Sequence, residues 1–248
     1  MIKKTKIRLF VNIKLKEGEE VCLSEAQSHY LSNVMRVRQG DEISCFNGCD
    51  GEFAAEILVV HKKQTQIGIR NKIKQFKNSP DVWLVFAPLK KDCTDFLVQK
   101  STELGVSGLL PIITQNTNTD KVKTERLQAQ ALEASEQCER LDVPQVFSPQ
   151  DFKQVIENWD SSRRLLFMDE RGAGMSVAEA LSKCDAQKVA ILVGPEGGFS
   201  DSEFNMLYKL PFVCGVSLGP RILRAETAAV AALSVWQAIA GDWKEKNR

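Results

Sequence analysis

At 248 residues the chain can form one large or two small domains with substantial cores, and its 43 % hydrophobic and 26 % charged content is ordinary for a globular protein. No run approaches the roughly eighteen apolar residues of a membrane span, the lysine-rich start lacks the apolar stretch of a signal peptide, and seven scattered cysteines without a C-x-x-C pair indicate neither a disulfide framework nor a zinc site. A cytoplasmic protein without a metal or a membrane partner is therefore expected, and the net charge of +1 speaks against a nucleic-acid partner for the chain as a whole.

Locally the charge reverses that argument. Residues 1–77 carry fourteen Lys and Arg against nine Asp and Glu, and the remainder carries nineteen against twenty-three. Such asymmetry hints at a polyanion-binding first portion, although a solvated lysine-rich surface fits the charge equally well. Within this portion, strand-like runs are expected at Arg8 to Ile13, Val21 to Ser24, Asp41 to Asn47, Glu52 to His61 and Thr65 to Ile73, with a helix from Glu25 to Met35. That is the pattern of a small β-barrel domain over residues 1–73. The polar stretch 74–81 reads as a linker.

From Val82 the texture becomes an alternation of strands and helices. Strands are expected at Val82 to Ala87, Gly108 to Ile113, Val143 to Phe147, Leu165 to Met168, Lys188 to Val193 and Phe212 to Ser217. Helices are expected over Asp92 to Leu104 and Lys121 to Arg140, after Ser148-Pro149, after the capping pattern Ser176 to Glu179, after Ser200 to Glu203, and from Ala225 to Ala240. This alternation implies an α/β domain over residues 82–248, with a mainly parallel sheet covered by helices on both faces.

Two glycine-and-proline loops, Gly194-Pro-Glu-Gly-Gly-Phe-Ser200 and Leu218-Gly-Pro-Arg-Ile-Leu-Arg-Ala-Glu-Thr227, each follow a strand and open a helix. In open α/β sheets ligands sit at the carboxyl ends of strands, and glycines there let a small molecule approach the main chain. Neither loop has the lysine of a P-loop or the glycine spacing of a dinucleotide fingerprint. Either alone is most simply a turn; as a pair, with Arg221, Arg224 and Glu226 clustered in one of them, they point to a site.

The segments 192–200 and 217–228 resemble the two signature loops of the RsmE family, the 16S ribosomal RNA uracil-N3 methyltransferases of the SPOUT superfamily. His29 to Asp41, Gln99 to Val106 and Glu133 to Arg140 resemble further family segments, so the likeness spans nearly the whole chain. It implies a PUA-like N-terminal barrel, a C-terminal SPOUT domain with a trefoil knot, a homodimer, S-adenosylmethionine as cofactor, and 16S rRNA within the small ribosomal subunit as partner. Periodicity itself gives no sign of a knot, and chain-threading rules favour an ordinary open sheet.

By resemblance the cofactor pocket comprises Leu192, Gly194, Pro195, Glu196, Gly197, Gly198, Leu218, Gly219, Ile222, Leu223 and Ala228, with Glu226 and Thr227 holding the second loop through first-turn amides. Arg224, and Arg221 second, are the candidate catalytic cations, because a uracil that loses its N3 proton needs its negative charge stabilised. A structural ion pair between Arg224 and Glu226 is the competing role. Arg8, Arg36 and Arg38 are the candidate RNA phosphate contacts. Lys100, Glu103, Glu136 and Arg140 match family positions but lie on expected helices, where they can pair with one another. The loop after Ile113, Thr114 to Asn118, lacks an arginine common in relatives, which leaves its role open. His29 and His61 read as packing or surface groups, and no general base is apparent. A SPOUT methyltransferase acting on tRNA ribose and a non-catalytic RNA-binding assembly factor remain as alternatives.

Overall fold

The short alternating runs at the start of the chain pair into one sheet in the computed structural model, which describes residues 7–119, 121–184 and 188–244. The first six residues of the expected barrel and the last four of the expected second domain lie outside the described residues. Strand β1 (Arg8–Phe10) pairs in parallel with β3 (Glu42–Phe46), while β2 (Glu20–Cys22) closes the far edge against β5 (Gln66–Lys74). With β4 (Glu52–Val59) in the middle the order is β1-β3-β4-β5-β2. Alternate residues, among them Leu9, Ile43, Cys45, Phe53, Ile57, Ile67 and Ile69, turn inward to one core, as period-two patterning requires. Helix α1 (Glu25–His29) starts from a capping box between Ser24 and Gln27 and runs into a π-helical turn, Tyr30–Val34.

The chain divides into two compact units: 1–78 with 135–143, and 79–134 with 144–248. The stretch 135–143, assigned by sequence to the second domain, thus packs with the first. The reason is visible at Arg8, whose guanidinium donates to the carbonyls of Ser135 (2.8 Å) and Arg140 and to Glu52 Oε1 (2.9 Å), and lies 3.9 Å from the Phe46 ring centre. In the same region the Glu136 carboxylate accepts from the Phe10 amide. Burial, more than the neighbouring Glu52 and Glu136, pushes the Cys45 thiol up to about 12.

The second unit is built on β6 (Val82–Phe86), α2 (Lys91–Glu103), β7 (Gly108–Ile113), α3 (Thr124–Gln137, whose residues from Ser135 belong to the first unit), β8 (Gln145–Val146), β9 (Gln150–Asp151), α4 (Phe152–Glu157), β10 (Arg163–Met168), β11 (Met175–Ser176), α5 (Val177–Ser182), β12 (Lys188–Val193), α6 (Asp201–Tyr208), β13 (Val213–Ser217) and α7 (Ala225–Ile239). Its strands run parallel in the order β11-β13-β10-β12-β6-β7-β8. The central runs β10 and β12 are buried almost continuously, as expected where helices cover both faces. On one face Phe152, Val155 and Ile156 of α4 and Phe204 and Leu207 of α6 pack with Leu165, Phe167 and Leu192; α7 packs with α2, α5 and β12.

Ser148 and Pro149 do not start α4. Gln150 and Asp151 pair with Ile112 and Ile113 of β7, so the chain stays extended until Asp151, whose carboxylate caps the helix by accepting from the Gln154 amide at 3.1 Å.

Candidate active site

Strand order brings together what sequence order separates. β10 lies between β12 and β13, so the loops after all three, and the turn after β6, end on the same edge of the sheet. There, two adjoining clefts share Met168, Glu170, Ile222, Leu223 and Ala228. The larger, about 500 Å³, is walled on one side by Gly194, Pro195, Glu196 and Gly198 and on the other by Arg224, Ala225 and Glu226. The smaller, about 210 Å³, runs under Leu218 to Leu223. The two glycine loops therefore face one continuous cavity.

The first loop is a braced turn. The Gly198 amide donates to the Pro195 carbonyl at 2.9 Å, with Gly198 at φ +68°, a conformation that favours glycine. A Cβ there would lie 2.8 Å from Glu170 Oε1, and one at Gly194 would lie 2.6 Å from the Phe199 ring. Asn116 donates to the carbonyls of Gly197 and Gly198 at 3.3 and 3.0 Å, and the Gln115 amide donates to Glu203 Oε1 at 2.8 Å. Glu203 also completes the capping box with Ser200 that begins α6. The arginine-free loop after Ile113 thus holds the Gly194–Ser200 loop in place.

The loop after β10 carried no sequence signal beyond its place after a strand, and it supplies the floor. Glu170 accepts from the Phe199 amide at 3.3 Å, and Arg171 pairs with Asp201 at 2.8 Å and stacks 4.1 Å over Phe204. Buried Asp169 accepts from the Arg171 amide at 2.7 Å and from the Tyr208 hydroxyl at 2.6 Å. Burial first, then the hydrogen bond to Asp169, raises the Tyr208 phenol above its usual value.

Tyr208 and Cys45 are both acids held neutral by the fold. Their contribution to stability is complete below the ordinary thiol value of 9.0 and is lost as pH rises toward the folded values, because the unfolded chain then binds fewer protons. The expected result is a melting temperature that falls steadily above pH 9 in circular-dichroism melts; a rise over that interval would contradict the assignment.

The expected pocket residues separate into two groups. Gly194, Pro195, Glu196, Gly198, Leu218, Gly219, Ile222, Leu223, Glu226 and Ala228 line the clefts, with Arg221 over the smaller and Arg224 over the larger. Leu192 is fully buried within β12, where its side chain packs into the sheet core; Gly197 and Thr227 are not among the lining residues. Arg224 is the N-cap residue of α7, exposed, and has no ion-pair partner among the described residues, so the pairing with Glu226 is not formed. Glu226 and Thr227 make no side-chain bond to first-turn amides among the described residues, and the N-cap Arg224 side chain makes none either. Lys100 pairs with Glu103 at 2.8 Å across one helical turn. His29 and His61 are exposed, and among the described residues no cluster of His, Cys, Asp and Glu suits a metal ion. No helix of the described residues is long and apolar enough to cross a membrane.

In the first unit Arg36 (φ +54°) and Arg38 are exposed. Arg8 is not available to RNA: its side chain is 8 % exposed and fully engaged by Glu52 and by main-chain carbonyls.

Residues 77–237 match the RNA methyltransferase domain family and residues 23–70 the RNA methyltransferase PUA domain family. A ribosomal RNA small subunit methyltransferase E from Rickettsia conorii is 31 % identical over 232 residues, covering 92 % of this chain and 93 % of that protein. The chain belongs to the ribosomal RNA small subunit methyltransferase E family. Two solved structures of similar build carry the likeness into three dimensions. The methyltransferase E from Neisseria gonorrhoeae, solved bound to S-adenosylmethionine, superposes with a TM-score of 0.85 at 28 % identity over 96 % of this chain and 99 % of that one. A Legionella pneumophila protein described as a methyltransferase in complex with the same cofactor gives 0.86 at 31 % identity over 95 % and 98 %.

Proposed function

We propose that the chain transfers a methyl group from S-adenosylmethionine to N3 of a uridine in 16S rRNA of the small ribosomal subunit. The observation that carries this reading is the shared cavity between the 194–198 and 218–228 loops. Its larger part, about 500 Å³, lies within the range of about 300–1,000 Å³ typical of small-molecule pockets, and its glycine wall is one a Cβ would intrude upon. Gly194, Gly198, Leu218, Leu223 and Ala228 would hold the cofactor, whose sulfonium supplies an electrophilic methyl group when bound.

The chain's own contribution at the base is charge. Uracil N3 is a weak nucleophile until its imide proton leaves, and the resulting negative charge spreads onto O2 and O4. Arg224, exposed and unpaired among the described residues at the mouth of the larger cleft, is placed to stabilise that charge. Arg36 and Arg38 serve as phosphate contacts on the first unit. The reading extends to a cytoplasmic homodimer and to the superfamily's trefoil knot, with the chain from Ser217 threaded beside the Gly194 loop. Ile222, 87 % exposed beside the cavity, supports a partner surface there.

Nucleoside analysis after incubating the protein with labelled cofactor and undermethylated small subunits tests the reading. Label in 3-methyluridine is expected; label in a ribose-methylated nucleoside would assign a different target, and no label would remove the catalytic reading. The glycine wall has its own test. Gly198→Val places a branched side chain at φ +68° and against Glu170, a strain of about 1–3 kcal/mol. Equilibrium dialysis should then give cofactor affinity at least tenfold weaker, and unchanged affinity would mean that the loop does not form the binding wall.

A further inference from the structure

A second concave surface of the methyltransferase unit gathers five basic side chains among its eleven described lining residues. A cleft of about 520 Å³ at the start of α2 is lined by Lys90, Lys91, Lys121, Lys123 and Arg126, with no carboxylate among its described lining residues. Arg126 is paired with Asp95 at 2.5 Å. The four lysines are exposed and have no ion-pair partner among the described residues, so four ammonium groups converge on one hollow with no described carboxylate paired to them. Its frame is fixed, because Thr94 accepts from the Leu89 amide at 3.0 Å and donates to the Leu89 carbonyl at 3.0 Å, pinning the turn that carries Lys90 and Lys91. Lys90 also lines the larger part of the candidate active cleft, so the two hollows are contiguous.

We infer that this lysine cleft binds the RNA phosphodiester backbone and leads the strand into the methyl-transfer cavity. The inference rests on the RNA-methylation reading and moves part of the polyanion contact from the first unit, where charge asymmetry in the sequence placed it, to the second. Convergent ammonium groups on a concave surface suit a chain of phosphates without base preference, since each charge neutralised releases a condensed counterion.

The test is fluorescence anisotropy of a labelled single-stranded RNA oligonucleotide and, in parallel, co-sedimentation with small ribosomal subunits over a range of KCl concentrations. The proteins are the wild-type chain, the triple substitution Lys91→Gln, Lys121→Gln, Lys123→Gln, and the same three positions changed to arginine. These residues lie outside the active cleft, so cofactor affinity by calorimetry and melting temperature should match wild type in both variants. The glutamine variant should bind at least tenfold more weakly, with a log-log salt slope shallower by about 2, since each single-strand phosphate neutralised accounts for about 0.7 of that slope. The arginine variant should restore both. Glutamine substitution that leaves affinity and slope unchanged, or wild-type protein that binds neither RNA probe, overturns the inference. Lysine-dependent RNA binding in a protein that transfers no methyl group supports the cleft while removing the methylation reading.

Discussion

Arg224→Ala should lower the methylation rate by about 10²–10³, or about 3–4 kcal/mol of transition-state stabilisation, while leaving cofactor affinity within a factor of two. The asymmetry follows from geometry. The arginine backbone begins α7, but its side chain is exposed and has no ion-pair partner among the described residues, so alanine removes a charge without opening the core. The residues assigned to the cofactor, Gly194, Gly198, Leu218, Leu223 and Ala228, are themselves unchanged by this substitution. Single-turnover rates with saturating cofactor separate the two effects. Equal losses in rate and cofactor affinity would make Arg224 a binding residue, and an unchanged rate would move the developing negative charge elsewhere. Arg221→Ala, altering the smaller cleft alone, is expected to cost less.

A stability loss of about 2–4 kcal/mol is expected for Arg8→Ala, read from urea unfolding, below the full cost of an unpaired buried charge because Lys74 remains beside Glu52. The side chains of Arg8 and Glu52 are 8 % and 4 % exposed, and their pair is joined by the Ser44 hydroxyl, which donates to the same Glu52 oxygen at 2.7 Å. Removing the guanidinium leaves the buried Glu52 carboxylate with only the Ser44 hydroxyl and Lys74, whose ammonium lies 3.5 Å from its other oxygen, and removes the donors that tie the carbonyls of Ser135 and Arg140 to β1. An exposed phosphate contact would behave oppositely, losing RNA affinity with little change in stability. A variant with wild-type stability and weakened RNA binding would return Arg8 to the role that its sequence position suggested.

That reversal marks where the sequence was legible and where it was not. Strands such as Gly108–Ile113 and Lys188–Val193 were readable to the residue, because continuous apolar runs bounded by polar turns leave little choice in a sheet covered on both faces. The Ser200–Glu203 cap was equally clear, being a local bond pattern. The two glycine loops were recognisable as cavity-lining from their position after strands. What escaped was non-local. Nothing in the sequence around Asp169 to Arg171 distinguishes that loop from any other turn; it becomes part of the site only because β10 lies between β12 and β13. The same holds for Asn116, which matters through carbonyls 81 and 82 residues away. The α4 start was misread because a cap proline and an extended pair with β7 have the same local signature until the partner strand is known. Arg8 was misread for a related reason, since a cation in a basic segment looks exposed until its buried acceptors are located.

Titration calorimetry of S-adenosylmethionine into the purified wild-type chain bears most directly on the idea that two distant loops form one methyl-donor pocket. Saturable binding at one site per chain, weakened by Gly198→Val and untouched by Arg224→Ala, is the predicted result. Absence of saturable heat, or binding indifferent to Gly198, would contradict it.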